Sequence, residues 1–179
     1  MVRPGRWISQ GWDWFVADLG PFVLIGLLAC VLTSFSLFLV TGPVAAGLAL
    51  VSLNKARGKQ VEVDDFFSGF RFFVPAFLAS LVIGLLTLVG LVFLVIPGLV
   101  VLAMYVFTFH IMVDHKQDFW RALSISRELV ARDYFGFTIF VGILVVANLL
   151  GLAFLGVGVI VTVPMTSLSV TAAYLDLKV

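Results

Sequence analysis

All twenty-one charged side chains of this chain fall in four clusters, at 1–18, 55–71, 114–133 and 176–178, and the blocks between them (19–54, 72–113 and 134–175) carry none. A water-facing domain spreads charge over its surface, typically about 25% of its residues. Here only 12% are charged and 62% are hydrophobic, so the expected solvent is lipid. The net charge of +1 lacks the basic excess that nucleic-acid binding requires, and no nucleic-acid partner is expected. With Cys30 as the sole cysteine, an intramolecular disulfide is excluded. The tryptophan- and aspartate-bearing start does not read as a cleaved signal peptide, so residues 1–20 are expected to stay with the protein.

Length converts the blocks into a topology. A helix rises about 1.5 Å per residue and the hydrocarbon core is about 30 Å thick, so one span needs roughly 20 residues. The blocks hold 36, 42 and 42 residues, enough in each case for a helical hairpin. Charge tests the choice independently. Three long single helices would alternate the clusters and split Lys and Arg six against five. Six helices place all eleven on one side. Basic residues collect on the cytoplasmic face, so the sequence predicts six spans with both termini inside.

Each block carries a late proline: Pro43, Pro97 (followed by Gly98) and Pro164. These read as turns or kinks of ordinary spans; the alternative is a broken or re-entrant half-helix lining a cavity. Residues 5–19 read as an amphipathic helix on the membrane surface, with Ile8, Trp12, Phe15 and Leu19 on one face and Trp7 and Trp14 flanking it. In 117–132, Asp118 is the expected N-cap. Phe119, Ala122, Leu123, Ser126, Leu129 and Val130 form one face, and Arg121, Glu128 and Arg132 the other, with Arg127 near the edge. The 61–73 stretch is dense in phenylalanine. Trp7, Trp12, Trp14, Phe66, Phe70 and Trp120 are the candidate interface anchors. Lys55, Arg57, Lys59, Arg121 and Arg127 are the candidate lipid-headgroup contacts.

The blocks offer little chemistry. They contain no Asp, Glu, Lys or Arg, the usual marks of proton relays and ion pathways. Their polar residues include Asn148 and a hydroxyl-rich run, Thr162 to Thr171, where interhelical hydrogen bonds are expected. His110, Asp114 and His115 form the nearest approach to a metal grouping, with His110 and Asp114 one helical turn apart, but no further ligand is placed by the sequence. No catalytic residue, cofactor or metal is expected. Small residues at four-residue spacing (Ala76, Ser80 and Gly84; Gly42 and Ala46; Ala147 and Gly151) allow close helix approach, within the bundle or to another subunit.

Several short motifs run through the chain: Gly42-Pro43-Val-Ala-Ala-Gly47 before Lys55-Ala-Arg57-Gly58; Val63-Asp64-Asp65-Phe66-Phe67-Ser68-Gly69-Phe70; Ile96-Pro97-Gly98 before a helix ending in Val113-Asp114; Ala122-Leu123-Ser-Ile-Ser126-Arg127; and Pro164 leading to Ala173-Tyr174-Leu175-Asp176-Leu177. In these the chain resembles uncharacterised bacterial integral membrane proteins, the YciC-like proteins and the membrane domain attached to some glycerophosphodiester phosphodiesterases. The resemblance implies a multi-helix membrane fold and transfers no site residue; the phosphodiesterase activity is not implied.

The expectation is therefore an all-α polytopic membrane protein, one domain over 1–179. It comprises an interfacial helix at 1–19, hairpins at 20–54, 72–113 and 134–175, and interfacial amphipathic helices on the cytoplasmic side. The expected location is a bacterial cytoplasmic membrane. The expected role is a non-enzymatic accessory or scaffold subunit, the alternatives being a small oligomeric channel or transporter, or a lipid-binding, membrane-organising protein. Expected partners are membrane lipids and other membrane subunits or further copies of the chain.

Overall fold

In an apolar solvent every backbone N–H and C=O must find a partner within the protein, and a helix supplies one inside its own segment. The computed structural model describes residues 2–35, 40–93, 95–153 and 158–177; among these the chain is helical, with no strand. Ser36, Gly156 and Lys178 lie outside the described residues. The helices are α1 (Pro4–Ala17), α2 (Leu19–Phe35), α3 (Thr41–Ala56), α4 (Val63–Ser68), α5 (Phe73–Phe93), α6 (Val95–Met104), α7 (Thr108–His115), α8 (Phe119–Val130), α9 (Tyr134–Ala153) and α10 (Val159–Leu177). A short 3-10 turn, Gly69–Phe72, joins α4 to α5.

Four stretches are long and apolar enough to cross a membrane: Val63–Val92, Val95–His115, Tyr134–Ala153 and Val159–Leu177. The pair α1 and α2, bent by 102° at their junction, makes a fifth if it counts as one span. This is the make-up of a multi-pass membrane protein. With 16 residues, α3 is about 24 Å long, short of the roughly 30 Å hydrocarbon core.

Helices α3 and α10 form the centre. α3 packs on α2, α4, α5, α7 and α10, while α10 also packs on α1, α2 and α9. Close approach depends on glycine at a few points. A Cβ on Gly42 would lie 2.1 Å from the Ala76 carbonyl oxygen, and one on Gly47 2.4 Å from that of Phe66. Pro164 sits inside α10 and cannot donate to the Ile160 carbonyl one turn earlier. Gly26 of α2 lies against that carbonyl, where a Cβ would be 2.1 Å from the oxygen. Pro43 and Pro97 lie in the first turns of α3 and α6, where a missing N–H removes no helical bond; Gly98 is buried near Gly90.

The charged ends meet. Lys55 pairs with Asp18, Arg57 with Asp114, and Arg6 with Asp176. These pairs join the first cluster to the second, the second to the third, and the first to the fourth. The outward faces of α5 and α9 are apolar: Leu85 of α5 is 62% exposed and Val92 79%, and Phe135, Ile139, Val146 and Leu150 of α9 are exposed as well.

α8 leaves the charged end and folds back along α5, α6 and α7. Of the face expected from the periodicity, Ala122, Leu123, Ser126 and Val130 are buried and Phe119 and Leu129 half-buried, while Arg121, Arg127 and Glu128 are exposed. Between α6 and α7 the helix breaks at 105–107. The Ser126 hydroxyl fills the gap, donating to the Met104 carbonyl at 2.9 Å and accepting from the Phe107 N–H at 3.2 Å. One side chain thus satisfies a donor and an acceptor that the break leaves without their helical partners. Asp118 stands at the N-cap position of α8 without a side-chain capping bond. At α9, Asp133 accepts from the Gly136 N–H at 2.9 Å, a side-chain cap.

Candidate functional site

The densest polar grouping is a seam where α3, α7 and α10 meet. α10 presents Ser167, Thr171 and Tyr174 at i, i+4 and i+7, one face of a helix. α7 presents His110 and Asp114 one turn apart, and α3 presents Ser52, with Arg57 at its C-cap. Ser52 and Ser167 share a hydrogen bond of 2.9 Å between their hydroxyls. The Thr171 hydroxyl donates to the Ser167 carbonyl at 2.9 Å. A hydroxyl has one proton, so at its 2.9 Å contact with His110 Nε2 Thr171 is the acceptor and the imidazole the donor. Nearer the charged end, the Tyr174 hydroxyl donates to Asp114 Oδ2 at 3.1 Å, and the Arg57 guanidinium pairs with Oδ1.

Burial decides what this seam can do. The Asp114 side chain is 6% exposed and His110 is buried. A carboxylate taken from water costs several kcal/mol unless paired and hydrogen-bonded, and Arg57 and Tyr174 supply those contacts. The seam joins three helices through contacts between residues at least 57 apart in the sequence. His115 Nε2 stands 3.9 Å from Asp114 Oδ2. Among the described residues no three His, Cys, Asp or Glu side chains converge as a metal site.

Two concavities lie between the outer helices. One, of about 310 Å³, lies between α5 and α8 and is lined by Val82, Leu86, Trp120, Ser124, Arg127 and Glu128, with Tyr105 at its edge. The other, of about 580 Å³, lies among α5, α6, α9 and α10. Its lining is apolar except where the Asn148 amide donates to the Thr166 hydroxyl at 2.7 Å and Tyr105 again borders it.

The expected anchors and contacts divide. Trp12 and Trp120 are 47% and 64% exposed, while Trp14 and Phe70 are half-buried. Trp7 and Phe66 are enclosed by protein, which replaces the interface anchoring expected of them. Trp7 stacks on Phe137, meets Phe140 edge-on, and donates its indole N–H to Asp176 Oδ2 at 3.0 Å. Phe66 lies under α3 at Gly47. The buried face of α1 is Trp7, Gly11 and Phe15; of the stripe expected through Ile8, Trp12, Phe15 and Leu19, Phe15 is buried, Ile8 half-buried, and Trp12 and Leu19 are exposed. Lys55 and Arg57, expected at lipid headgroups, hold carboxylates of the chain itself. Lys59, Arg121 and Arg127 are exposed. Among the small-residue rows, Gly42 meets Ala76 and Gly151 meets Gly158 and Thr162 inside the bundle, whereas nothing stands within 4 Å of a Cβ on Gly84.

Sequence reading missed Ser52 and Tyr174. The polar i, i+4, i+7 row on α10 was the available signal. No protein-family model, curated protein or solved structure matches the chain.

Proposed function

We propose that this chain is a non-enzymatic membrane protein of a bacterial cytoplasmic membrane, an accessory or scaffold subunit of a larger membrane assembly. The observation that carries the reading is that the ionic and hydroxyl groups of the seam engage one another across helices. Asp114, Arg57, Tyr174, His110 and Thr171 form helix-joining contacts, the pattern of a structural network. The channel or transporter alternative rests on the proline-broken helices and on the hydroxyls of 162–171. Three of these answer to neighbouring helices instead: Thr166 to Asn148, Ser167 to Ser52 and Thr171 to His110. Gentle detergent extraction followed by mass spectrometry tests the proposal. The expected result is co-isolation with a stoichiometric membrane partner or as a defined oligomer; a lone monomer at every detergent condition overturns it.

The topology belongs to the same proposal: six spans as the hairpins α2–α3, α5 with α6–α7, and α9–α10, and both termini cytoplasmic. The three inter-cluster ion pairs support it, since alternating long helices would hold Lys55 and Asp18 on opposite faces. The resemblance to the YciC-like proteins supports a membrane fold of this kind. In a Cys30→Ser background, a membrane-impermeant thiol reagent applied to intact cells should label Pro97→Cys and spare Lys59→Cys. The reverse pattern rejects the orientation.

Lipid binding is a second reading. It is favoured by the two concavities, one of them bearing charge.

A further inference from the structure

The cleft between α5 and α8 places charge where an apolar helix cannot answer it. Val82 and Leu86 lie nine and thirteen residues into α5, roughly 14 and 20 Å along it. Arg127 and Glu128 line the same cleft. Among the described residues neither side chain has a hydrogen bond or ion pair. Charged groups beside the middle of a membrane helix require a polar partner, which lipid tails do not supply. The polar end of an amphiphile does. The cleft offers one guanidinium and one carboxylate, with the exposed Trp120 ring beside them. That pairing complements a headgroup carrying one phosphate and one ammonium, and it is a poorer match to a purely anionic one. Tyr105 borders both this cleft and the apolar groove of about 580 Å³, so a charged recess adjoins an apolar channel, as the two halves of a phospholipid require. The groove's outer lining, Leu149 and Leu152, is 59% and 61% exposed, open to the bilayer from which such a molecule would enter.

We propose that this cleft binds one zwitterionic glycerophospholipid of the bilayer, its phosphate on Arg127, its ammonium on Glu128, and an acyl chain in the groove beyond Tyr105. The proposal rests on the lipid-binding reading and gives it a site and a headgroup class. The full chain, purified in mild detergent with added phosphatidylethanolamine or phosphatidylglycerol, is examined by native mass spectrometry. The expected result is one retained phosphatidylethanolamine, preferred over phosphatidylglycerol. Arg127→Gln should retain it about tenfold less, as loss of one charge-assisted contact implies. Glu128→Lys should shift the preference toward phosphatidylglycerol, and Arg121→Gln should change nothing. Both cleft residues are exposed, and unaltered thermal melts separate lipid loss from unfolding. A wild type that retains lipid while Arg127→Gln retains as much overturns the site and leaves lipid binding standing. A wild type that retains none overturns both.

Discussion

An Arg57→Ala variant is expected to lose about 3 kcal/mol of stability, the lower end of what breaking a buried ion pair costs. The loss comes from what remains. The Asp114 side chain, 6% exposed, would keep its charge without its cation, whereas Arg57, 42% exposed, can return to water when its partner is lost. Asp114→Asn should therefore be milder than Arg57→Ala. The double variant should be more stable than Arg57→Ala alone, since it removes the buried carboxylate whose guanidinium is gone. Thermal unfolding in mild detergent, followed by helical circular dichroism, checks the order. For a chain of this size 3 kcal/mol corresponds to about 6–12 °C. Equal melting of both single variants would show that the pair is solvated and contributes little.

Gly47→Val is expected to destabilise by about 3 kcal/mol or more, at or beyond the upper end of overpacking. The obstacle is backbone. A Cβ at 47 meets the Phe66 carbonyl oxygen at 2.4 Å, and one at Gly69 meets the Gly47 nitrogen and Cα at 2.3 Å. No rotamer relieves either contact, so α3 and the 63–72 segment would have to separate. The control is Gly84→Val, the same change on α5 with nothing within 4 Å, expected within about 0.5 kcal/mol of wild type as for other surface substitutions. Monodisperse yield on size exclusion and the melting temperature read both; matching losses would show that residue type, and not position, sets the effect.

These variants mark where sequence reading succeeds and where it stops. Four of the six residues expected on one face of α8, Ala122, Leu123, Ser126 and Val130, recur at helical spacing and are buried; Phe119 and Leu129 are only half-buried. The face of α1 was legible only at Phe15. Trp12 is as apolar as Trp7, yet the first is 47% exposed and the second is buried. Gly11 decides it: a Cβ there would lie 2.4 Å from Ser169 Oγ, so α1 meets α10 along the Trp7–Gly11–Phe15 row. Lipid tails are as apolar as leucine, so hydrophobicity cannot separate a lipid-facing side chain from a core one. The seam was half legible. The spacing of His110 and Asp114 put both on one face, but their partners lie on α3 and α10.

The sequence by itself determined the solvent, the helical class and the run of apolar segments between charged ends. Charge-free length against bilayer thickness is a one-dimensional comparison, and backbone satisfaction in lipid leaves a helix as the simplest answer. The tertiary structure decided which charges pair, which apolar faces are interior, and that α8 folds back along α5 to bring Arg127 and Glu128 to a cleft on its flank. Those outcomes depend on shape and hydrogen bonding between residues far apart in the chain, to which local periodicity is blind.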